Sequence, residues 1–425
     1  MSTFKPATEW IAPDVFPTEL LVNAKQIAID TETRDPNLTS IGPGYIRGDG
    51  EVVGISVACD GFEGYFPFGH ETGFNFPKNK VVDFFKKVCA SDNTKVFHNA
   101  PYDIGWLRTL GIKVNGKIVD TMIVAPLIDE NQFYYSLNGL GREYLNEGKT
   151  EAELNAAAAE WGLDPKAEMW RLPSAYVGTY ATQDAVLTLK LWDYFKVELE
   201  KQNLWNVFDL EMELLPIIIE MKRVGVRVDL ERAEKIKKEL ITKEKNLIKS
   251  IQDQSGVKDL QLWAARSLAQ VFDALKLSYL RTPTGQPSFT KAFLENHTHP
   301  VASLIREARE LNKSHSTFID SILKHQYNGR IHAEIRQLKG ESGGTVTGRL
   351  SMSNPNLQQV PARNKNIGPL IRSLFLPEEN HTWCSADFSQ QEPRILTHYS
   401  HLSKYDGASS IAEAYLEGDA DFHQE

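Results

Sequence analysis

Between residues 26 and 97 the chain repeats one pattern: a short apolar run rich in branched side chains, then a break. Gln26-Ile27-Ala28-Ile29-Asp30 is such a run closed by an acid, Glu51 to Cys59 is a second, and Lys95-Val96-Phe97 is a third. Runs of this length are those of buried strands, and the Gly/Pro-rich stretch Asp35 to Gly50 between the first two reads as a loop. Val81 to Val88 and the alanine-rich Glu151 to Trp161 carry apolar residues at helical spacing. Alternating strands and helices predict a layered α/β domain over residues 1–205.

The pattern changes after residue 205. Asn206 to Gln252 reads as a long helix interrupted around Gly225, and Gln261 to Leu275 and Ala302 to His325 as further helices. Between these two lies a turn-rich loop, Arg281 to Pro287. The Lys- and Glu-rich second half of the first helix reads as a solvated face with ion pairs four residues apart. Beyond Gly329 the chain turns mixed, with strands expected near Ile331 to Leu338 and Trp383 to Phe388. The expected division is therefore 1–205, a mostly helical 206–340, and 341–425.

Composition removes several classes. A net charge of −9 rules out a surface coated with basic residues, yet leaves room for a local basic track and for acids gathered around metal ions. Cys59, Cys89 and Cys384 form no CxxC pair, which argues against a zinc site or a disulfide framework. No apolar run is long enough for a membrane span, and Met1 to Trp10 lacks the apolar core of a signal peptide. The expected location is cytoplasmic, with no membrane partner.

Three acidic motifs stand in the first half. In Asp30-Thr31-Glu32, at the end of the first strand, residues two apart point to one face and hold two carboxylates side by side. That repulsion is relieved by a divalent cation, and hard oxygen ligands suit Mg²⁺ or Mn²⁺; the alternative is an acidic turn. In His98-Asn99-Ala100-Pro101-Tyr102-Asp103, Asn99 can cap a helix whose first turn holds Pro101 and Asp103. The helix dipole alone is a sufficient reason for Asp103. In Tyr180-Ala181-Thr182-Gln183-Asp184, a helix would put Tyr180 and Asp184 on one face.

In order and local pattern, these motifs resemble the exonuclease motifs of the DEDD nuclease superfamily in its tyrosine form, through Asp30, Glu32, Asp103, Asp184 and Tyr180. The resemblance implies an RNase H-like fold and two-metal hydrolysis at DNA 3′ ends, with Tyr180 orienting the attacking water. Asp120, in Val119-Asp120-Thr121-Met122, reads as structural.

A second constellation lies further on. Thr347 to Pro361 is dense in Asn, Gln and Ser, able to meet minor-groove acceptors or phosphates, and Arg349, Arg363, Lys365 and Arg372 form a basic track. This loop, and Ser385-Ala386-Asp387-Phe388-Ser389-Gln390-Gln391-Glu392-Pro393-Arg394 after it, resemble family A DNA polymerases of the DNA polymerase I type, the second segment as that family's motif A. Met221 to Asp229 and Thr282 to Ser288 agree with its polymerase start and thumb. Gln391 and Pro393 are variants of a phage-type kind.

The resemblance implies an RNase H-like 3′-5′ exonuclease domain, a helical thumb and the first part of a palm. Asp387 would bind two catalytic Mg²⁺ ions with the carbonyl of Phe388. Arg349, Asn356, Gln358 and Arg363 would contact primer-template DNA. Glu392 would sit beneath the incoming sugar, Arg394 would support the primer end, and His423 would touch a dNTP phosphate. A capping box Ser389-x-x-Glu392 rivals the role of Glu392, but it would place Pro393 at the fourth helical position, where a backbone N–H is wanted. The family's second palm acid and its fingers helix would follow Glu425, so a further chain or segment is expected to supply them. The other readings are a stand-alone 3′-5′ exonuclease acting on single-stranded 3′ ends and a catalytically silent DNA-binding scaffold.

Overall fold

The computed structural model describes residues 8–362 and 364–418. Residues up to Leu376 form one compact unit and those from Pro377 a second.

The first unit is built on a five-stranded sheet of β1 (Gln26–Arg34), β2 (Glu51–Cys59), β3 (Phe62–Pro67), β4 (Thr94–Phe97) and β5 (Ile118–Asp120), in the order β3-β2-β1-β4-β5. The β1–β2 and β2–β3 pairs are antiparallel; β1–β4 and β4–β5 are parallel. This is the mixed α/β, RNase H-like arrangement expected from the sequence. Ile27, Ala28 and Ile29 are fully buried, with Val96, Phe97 and Trp106 in the same core. The helices packed around the sheet include α1 (Lys78–Cys89), α2 (Ala100–Thr109), α3 (Thr121–Ile128), α4 (Ala152–Trp161) and α5 (Ser174–Lys201).

Two local details differ from expectation. β1 does not stop at Asp30. Its ladder with β2 continues to Arg34 and carries a bulge between Glu32 and Thr33, so the two acids lie inside the strand. The expected loop from Asp35 to Gly50 contains a short helical turn, Leu38–Ile41.

The interrupted helix is present as α6 (Trp205–Val224), a short strand β6 (Val226–Val228) and α7 (Leu230–Ser255). Gly225, at φ +64°, makes the break, and Asp229 caps α7 by accepting the Arg232 amide. Trp192 on α5 stacks on Phe208 of α6 at 5.3 Å between ring centroids, continuing the core from one helix to the next. Next come α8 (Ala265–Ala274), the hairpin of β7 (Leu280–Arg281) and β8 (Pro287–Ser288), and α9 (Pro300–Lys313).

The expected single helix from Ala302 to His325 is broken by a π-helical segment at Ser314–Ile319. There Ser314 and Ser316 bond back to the carbonyls of Glu310 and Asn312, which loosens the helical ladder. A second small sheet then combines β9 (Gln326–Tyr327), β10 (Arg330–Ile331) and a later strand with β6, while β11 (Glu334–Arg336) pairs with β12 (Ser351–Ser353). The later strand is β13 (Phe375–Leu376).

The second unit contains α10 (Gln391–Leu402) and α11 (Ala408–Glu417). The strand expected over Trp383 to Phe388 is not formed: these residues are exposed and adopt no ladder. A strand needs a neighbouring edge to satisfy its backbone, and the described residues of this unit offer only helices. The rival capping box is not formed either, because α10 starts at Gln391 behind Gln390. Pro393 therefore falls in the first turn, where no intrahelical N–H is needed.

Candidate active site

Three elements meet at one place. β1 contributes Asp30 and Glu32, two residues apart on one face; α2 contributes Asp103; α5 contributes Tyr180 and Asp184, one helical turn apart. Carboxylate oxygens of Asp30, Glu32 and Asp184 lie within 4.8 Å of one another. Asp103 is tied to the same strand from the side, accepting the Thr31 amide at 2.9 Å and the Thr31 hydroxyl at 2.6 Å. Glu32, Asp103 and Asp184 are buried, and Asp30 is half-buried.

Gathering these acids has the electrostatic result that Coulomb's law requires. Burial, with the Asp184 charge, pushes Asp30 up to about 7, against the pull of Lys149. Burial and the charges of Asp30 and Asp184 push Glu32 well above the carboxylate range. Asp103 moves the same way through burial and Asp30, although the bonds from Thr31 oppose the shift. Asp184 is raised by burial and held back by Lys149. The Tyr180 phenol is also pushed up, by burial and then by the neighbouring acids, so it remains a neutral hydroxyl.

Lys149 also lies at this site, and none of the sequence motifs contains it. Its ammonium donates to Asp184 Oδ2 at 2.6 Å and to Tyr180 Oη at 3.1 Å, and lies 4.8 Å from the Tyr180 ring centroid. Burial opposes its charge, but Asp184, Asp30 and Glu32 outweigh that and raise its pKa. No motif marks this lysine; the only sequence signal is a lone base in the turn Glu147-Gly148-Lys149-Thr150.

The helix carrying Asp103 is capped differently from expectation. Asn99 adopts φ +77° and its side chain makes no cap bond. Asp120, at the end of β5, accepts the amides of Asn99 at 2.9 Å and Ala100 at 2.8 Å, and also that of Met122 at 2.9 Å. A distant carboxylate displaces the local asparagine because it anchors two helices at once: the Met122 bond also caps α3. The neighbouring His98 bonds Thr121 and the Tyr135 carbonyl and is held neutral, its pKa lowered to about 3 by burial and by Lys149.

The acid group fits a divalent cation. Glu32 Oε1 and Asp184 Oδ1 are buried and lack a hydrogen-bond partner, and buried polar atoms are normally satisfied. Hard carboxylate oxygens turned on one point are the donors that Mg²⁺ or Mn²⁺ takes.

Within each unit, the described residues of the second constellation form no comparable acid group. Asn356 caps a short 3₁₀ turn through the Gln358 amide, and Gln358 donates to the Leu350 carbonyl at 2.7 Å. Both are exposed, as are Arg349, Lys365 and Arg372. In the second unit Asp387, Phe388 and Glu392 are exposed, and Asp387 belongs to no acid group among the described residues. Arg394 bonds the Ser389 carbonyl at 3.0 Å and lies over the Tyr415 ring. Arg363 and His423 lie outside the described residues.

Comparison with known proteins agrees with this architecture. Residues 17–200 match the family model described as 3′-5′ exonuclease, and residues 230–425 match DNA polymerase family A. The chain belongs to the family A DNA polymerases that carry a 3′-5′ exonuclease domain. Its particular relatives include phage enzymes. It is 38% identical over 414 residues to a DNA-directed DNA polymerase of Pseudomonas phage M6, covering 94% of this chain and 62% of the relative. It is 33% identical over 436 residues to DNA polymerase DpoZ of Salmonella phage PMBT28, covering 96% of this chain and 66% of the relative. A bacterial relative, DNA polymerase I of Chloroflexus aurantiacus, is 29% identical over 94% of this chain and 41% of its own length. The chain thus spans just under two thirds of the length of the phage relatives. Its fold is similar to the POL domain of Pol1 from M. smegmatis, solved in complex with DNA primer-template and dNTP. There the TM-score is 0.70 and the identity 22%, over 92% of this chain and 62% of that one.

Proposed function

We propose that this chain hydrolyses DNA from its 3′ ends at Asp30, Glu32, Asp103 and Asp184, with two Mg²⁺ or Mn²⁺ ions as cofactor. The observation that carries the reading is the trio of carboxylates within 4.8 Å, two of which present buried oxygens without a partner. Divalent ions bound by Asp30, Glu32, Asp103 and Asp184 would supply Lewis-acid charge at phosphorus and activate water. The protein's own part is to hold the acids in place. Thr31 fixes Asp103, and α5 sets Asp184 one turn from Tyr180. The phenol, kept protonated by burial, offers a hydrogen bond that orients the attacking water.

The test is metal-dependent degradation of a 5′-labelled single strand by the wild type and by Asp30→Ala. Loss of an outer-shell partner alone costs metal sites about 10–100-fold, so loss of a ligand should cost more than about 100-fold. An Asp30→Ala protein with undiminished nuclease activity would sink the assignment.

We also propose the division into an exonuclease domain (1–205), a thumb (206–340) and the start of a palm (341–425), as the N-terminal part of a DNA-directed DNA polymerase acting in host cytoplasm. Asp387 and the Phe388 carbonyl would hold the polymerase ions. Arg349, Asn356, Gln358 and Arg363 would meet primer-template DNA, and Glu392, Arg394 and His423 the nucleotide and primer end. A further chain or segment with fingers and a second palm acid would complete this site. The 62–66% coverage of the phage relatives supports this.

The exposure of Asp387, outside any acid group among the described residues, is compatible with this reading and with a second one, a stand-alone exonuclease with a DNA-binding remnant. Primer extension separates the two. The first reading expects extension only when the complementing chain is added; the second expects none in either case.

A further inference from the structure

We propose that Lys149 is a built-in counter-cation of the exonuclease site, holding Asp184 and Tyr180 in place until a divalent ion takes Asp184 from it. This rests on the metal-dependent reading above and goes beyond it by assigning a residue that none of the acidic motifs contains.

The first support is the position of the ammonium. It is within hydrogen-bond distance of one oxygen of Asp184, while the other Asp184 oxygen is buried without a partner. It also donates to the Tyr180 phenol oxygen. One cation therefore touches an acid of the metal-binding trio and the tyrosine that the hydrolysis reading uses. Lys149 is itself largely buried, its side chain 15% exposed, so it is no mobile surface lysine.

The second support is the way its turn is fastened. Gln183, the residue before Asp184, accepts the Thr150 amide at 2.5 Å and donates to the Gly148 carbonyl at 2.9 Å. Asn138 accepts the Lys149 amide at 2.9 Å, and Lys190, further along α5, bonds the Glu147 carboxylate at 2.7 Å. The turn is clamped to the same helix that carries Tyr180 and Asp184. A Cβ at Gly148 would fall 2.9 Å from Nε of the exposed Arg142, which would have to shift aside. The backbone is thus fixed, and rotation within the four-carbon stem would be enough for the ammonium to release Asp184 without the turn moving.

The third support is the charge balance. Four carboxylates crowd one site, and Lys149 is bonded to one of them, Asp184, while its charge also acts on Asp30 and Glu32. An ammonium is a compact point charge that stabilises such a group, and a divalent ion, held by Asp30, Glu32 and Asp184, would compete with it for Asp184 through stronger attraction. The lysine then keeps its bond to Tyr180. Lys149 is accordingly a positioning residue: it acts through Tyr180 and Asp184, and it sets how tightly the ion is held.

The experiment is a direct Mn²⁺ titration, read as free Mn²⁺ by electron paramagnetic resonance without DNA. It uses the full chain as wild type, Asp30→Ala, Lys149→Met, Lys149→Gln and Lys149→Arg. Removing the competing cation should tighten Mn²⁺ binding in Lys149→Met about tenfold, equivalent to about 1.4 kcal/mol. Lys149→Gln, which keeps a polar stem, should do the same if the methionine variant fails to fold. Lys149→Arg keeps the charge and should stay close to wild type. With single-stranded DNA and saturating Mn²⁺, the neutral variants should lose kcat with KM unchanged, because Tyr180 loses the ammonium that donates to its hydroxyl. Neutral variants that bind Mn²⁺ no tighter than wild type would overturn the role of Lys149 alone. Wild-type Mn²⁺ binding that Asp30→Ala leaves intact would instead overturn the hydrolysis reading.

Discussion

Asp120 Oδ2 accepts the amide of Ala100 at 2.8 Å, joining the end of β5 to the first residue of α2. Its partner oxygen takes the amides of Asn99 and Met122. Asp120 is 1% exposed, so loss of its carboxylate leaves buried donors with nothing to bond. Asp120→Ala should destabilise the protein by about 2–4 kcal/mol, since helix caps contribute about 1 and each orphaned buried donor costs about 1–3. The check is the denaturant midpoint at unchanged m-value. A loss within about 0.5 kcal/mol, the range of ordinary surface substitutions, would contradict the capping role.

Tyr180→Phe separates chemistry from packing at the proposed nuclease site. The ring is 9% exposed and packs in an apolar cluster with Tyr65, Leu154 and Val177, all of which phenylalanine preserves. The hydroxyl is the only group lost. Steady-state kinetics on single-stranded DNA should show kcat falling on the order of 100-fold with KM little changed, the signature of an interaction used in the transition state. A variant with normal kcat and raised KM would assign Tyr180 to binding instead.

His70 supplies a pH dependence of known sign. Burial lowers its pKa from 6.5 to about 4; its Nε2 meets the Tyr65 hydroxyl and its Nδ1 the Leu172 carbonyl. The folded protein keeps this ring neutral between about 4 and 6.5, while the unfolded chain takes up a proton there. Its contribution is therefore complete above 6.5 and lost as pH falls toward 4, by up to about 1.4 kcal/mol per pH unit. In His70→Gln that slope should disappear, while groups common to both proteins, such as His98, cancel in the comparison. Melting temperatures of the two proteins at pH 7 and pH 5 give the difference directly. Parallel pH curves would show that His70 is not held neutral.

Gly54 faces Glu32 across the β1–β2 ladder, and the space above it is filled by the Tyr65 ring. A Cβ at this position would lie 2.1 Å from Tyr65 Oη and 2.3 Å from the ring carbons. Tyr65 is fully buried and bonded to His70, so it has nowhere to retreat. Gly54→Ala should cost about 1–3 kcal/mol by overpacking. It should also lower nuclease activity, because Glu32 pairs with this position across the ladder. Thermal melts and the 3′-end assay read both effects, and an alanine tolerated in both would show that the ring moves freely.

What could be read from the sequence was the part set by local period. Asp30 and Glu32 share a face because strands repeat every two residues; Tyr180 and Asp184 meet because helices repeat near four. The strands around Ile27, Val53 and Val96 were legible from their buried, branched side chains. What escaped depends on distant partners. Asn99 is a suitable cap by type, and only the folded chain shows Asp120, 21 residues away, taking that place. Lys149 meets Asp184 across 35 residues of chain and could not be chosen from other lysines by pattern. The expected strand at Trp383 to Phe388 failed for a related reason: a local stretch of sequence describes one strand, but a sheet needs two.

The bulge between Glu32 and Thr33 has a consequence for how this protein can diverge. Its extra residue is Val53 on β2, opposite the step from Glu32 to Thr33, so β1 itself keeps an unbroken two-residue alternation through its acids. Deleting a single residue between Gln26 and Asp30 would turn Asp30 and Glu32 through the sheet to its opposite face, whatever the remaining side chains. Substitutions along β1 cost packing in increments, whereas a change in its length costs the site at once. Lineages descending from this chain should therefore vary β1 by exchange of residues and keep gains and losses of length for its surface loops.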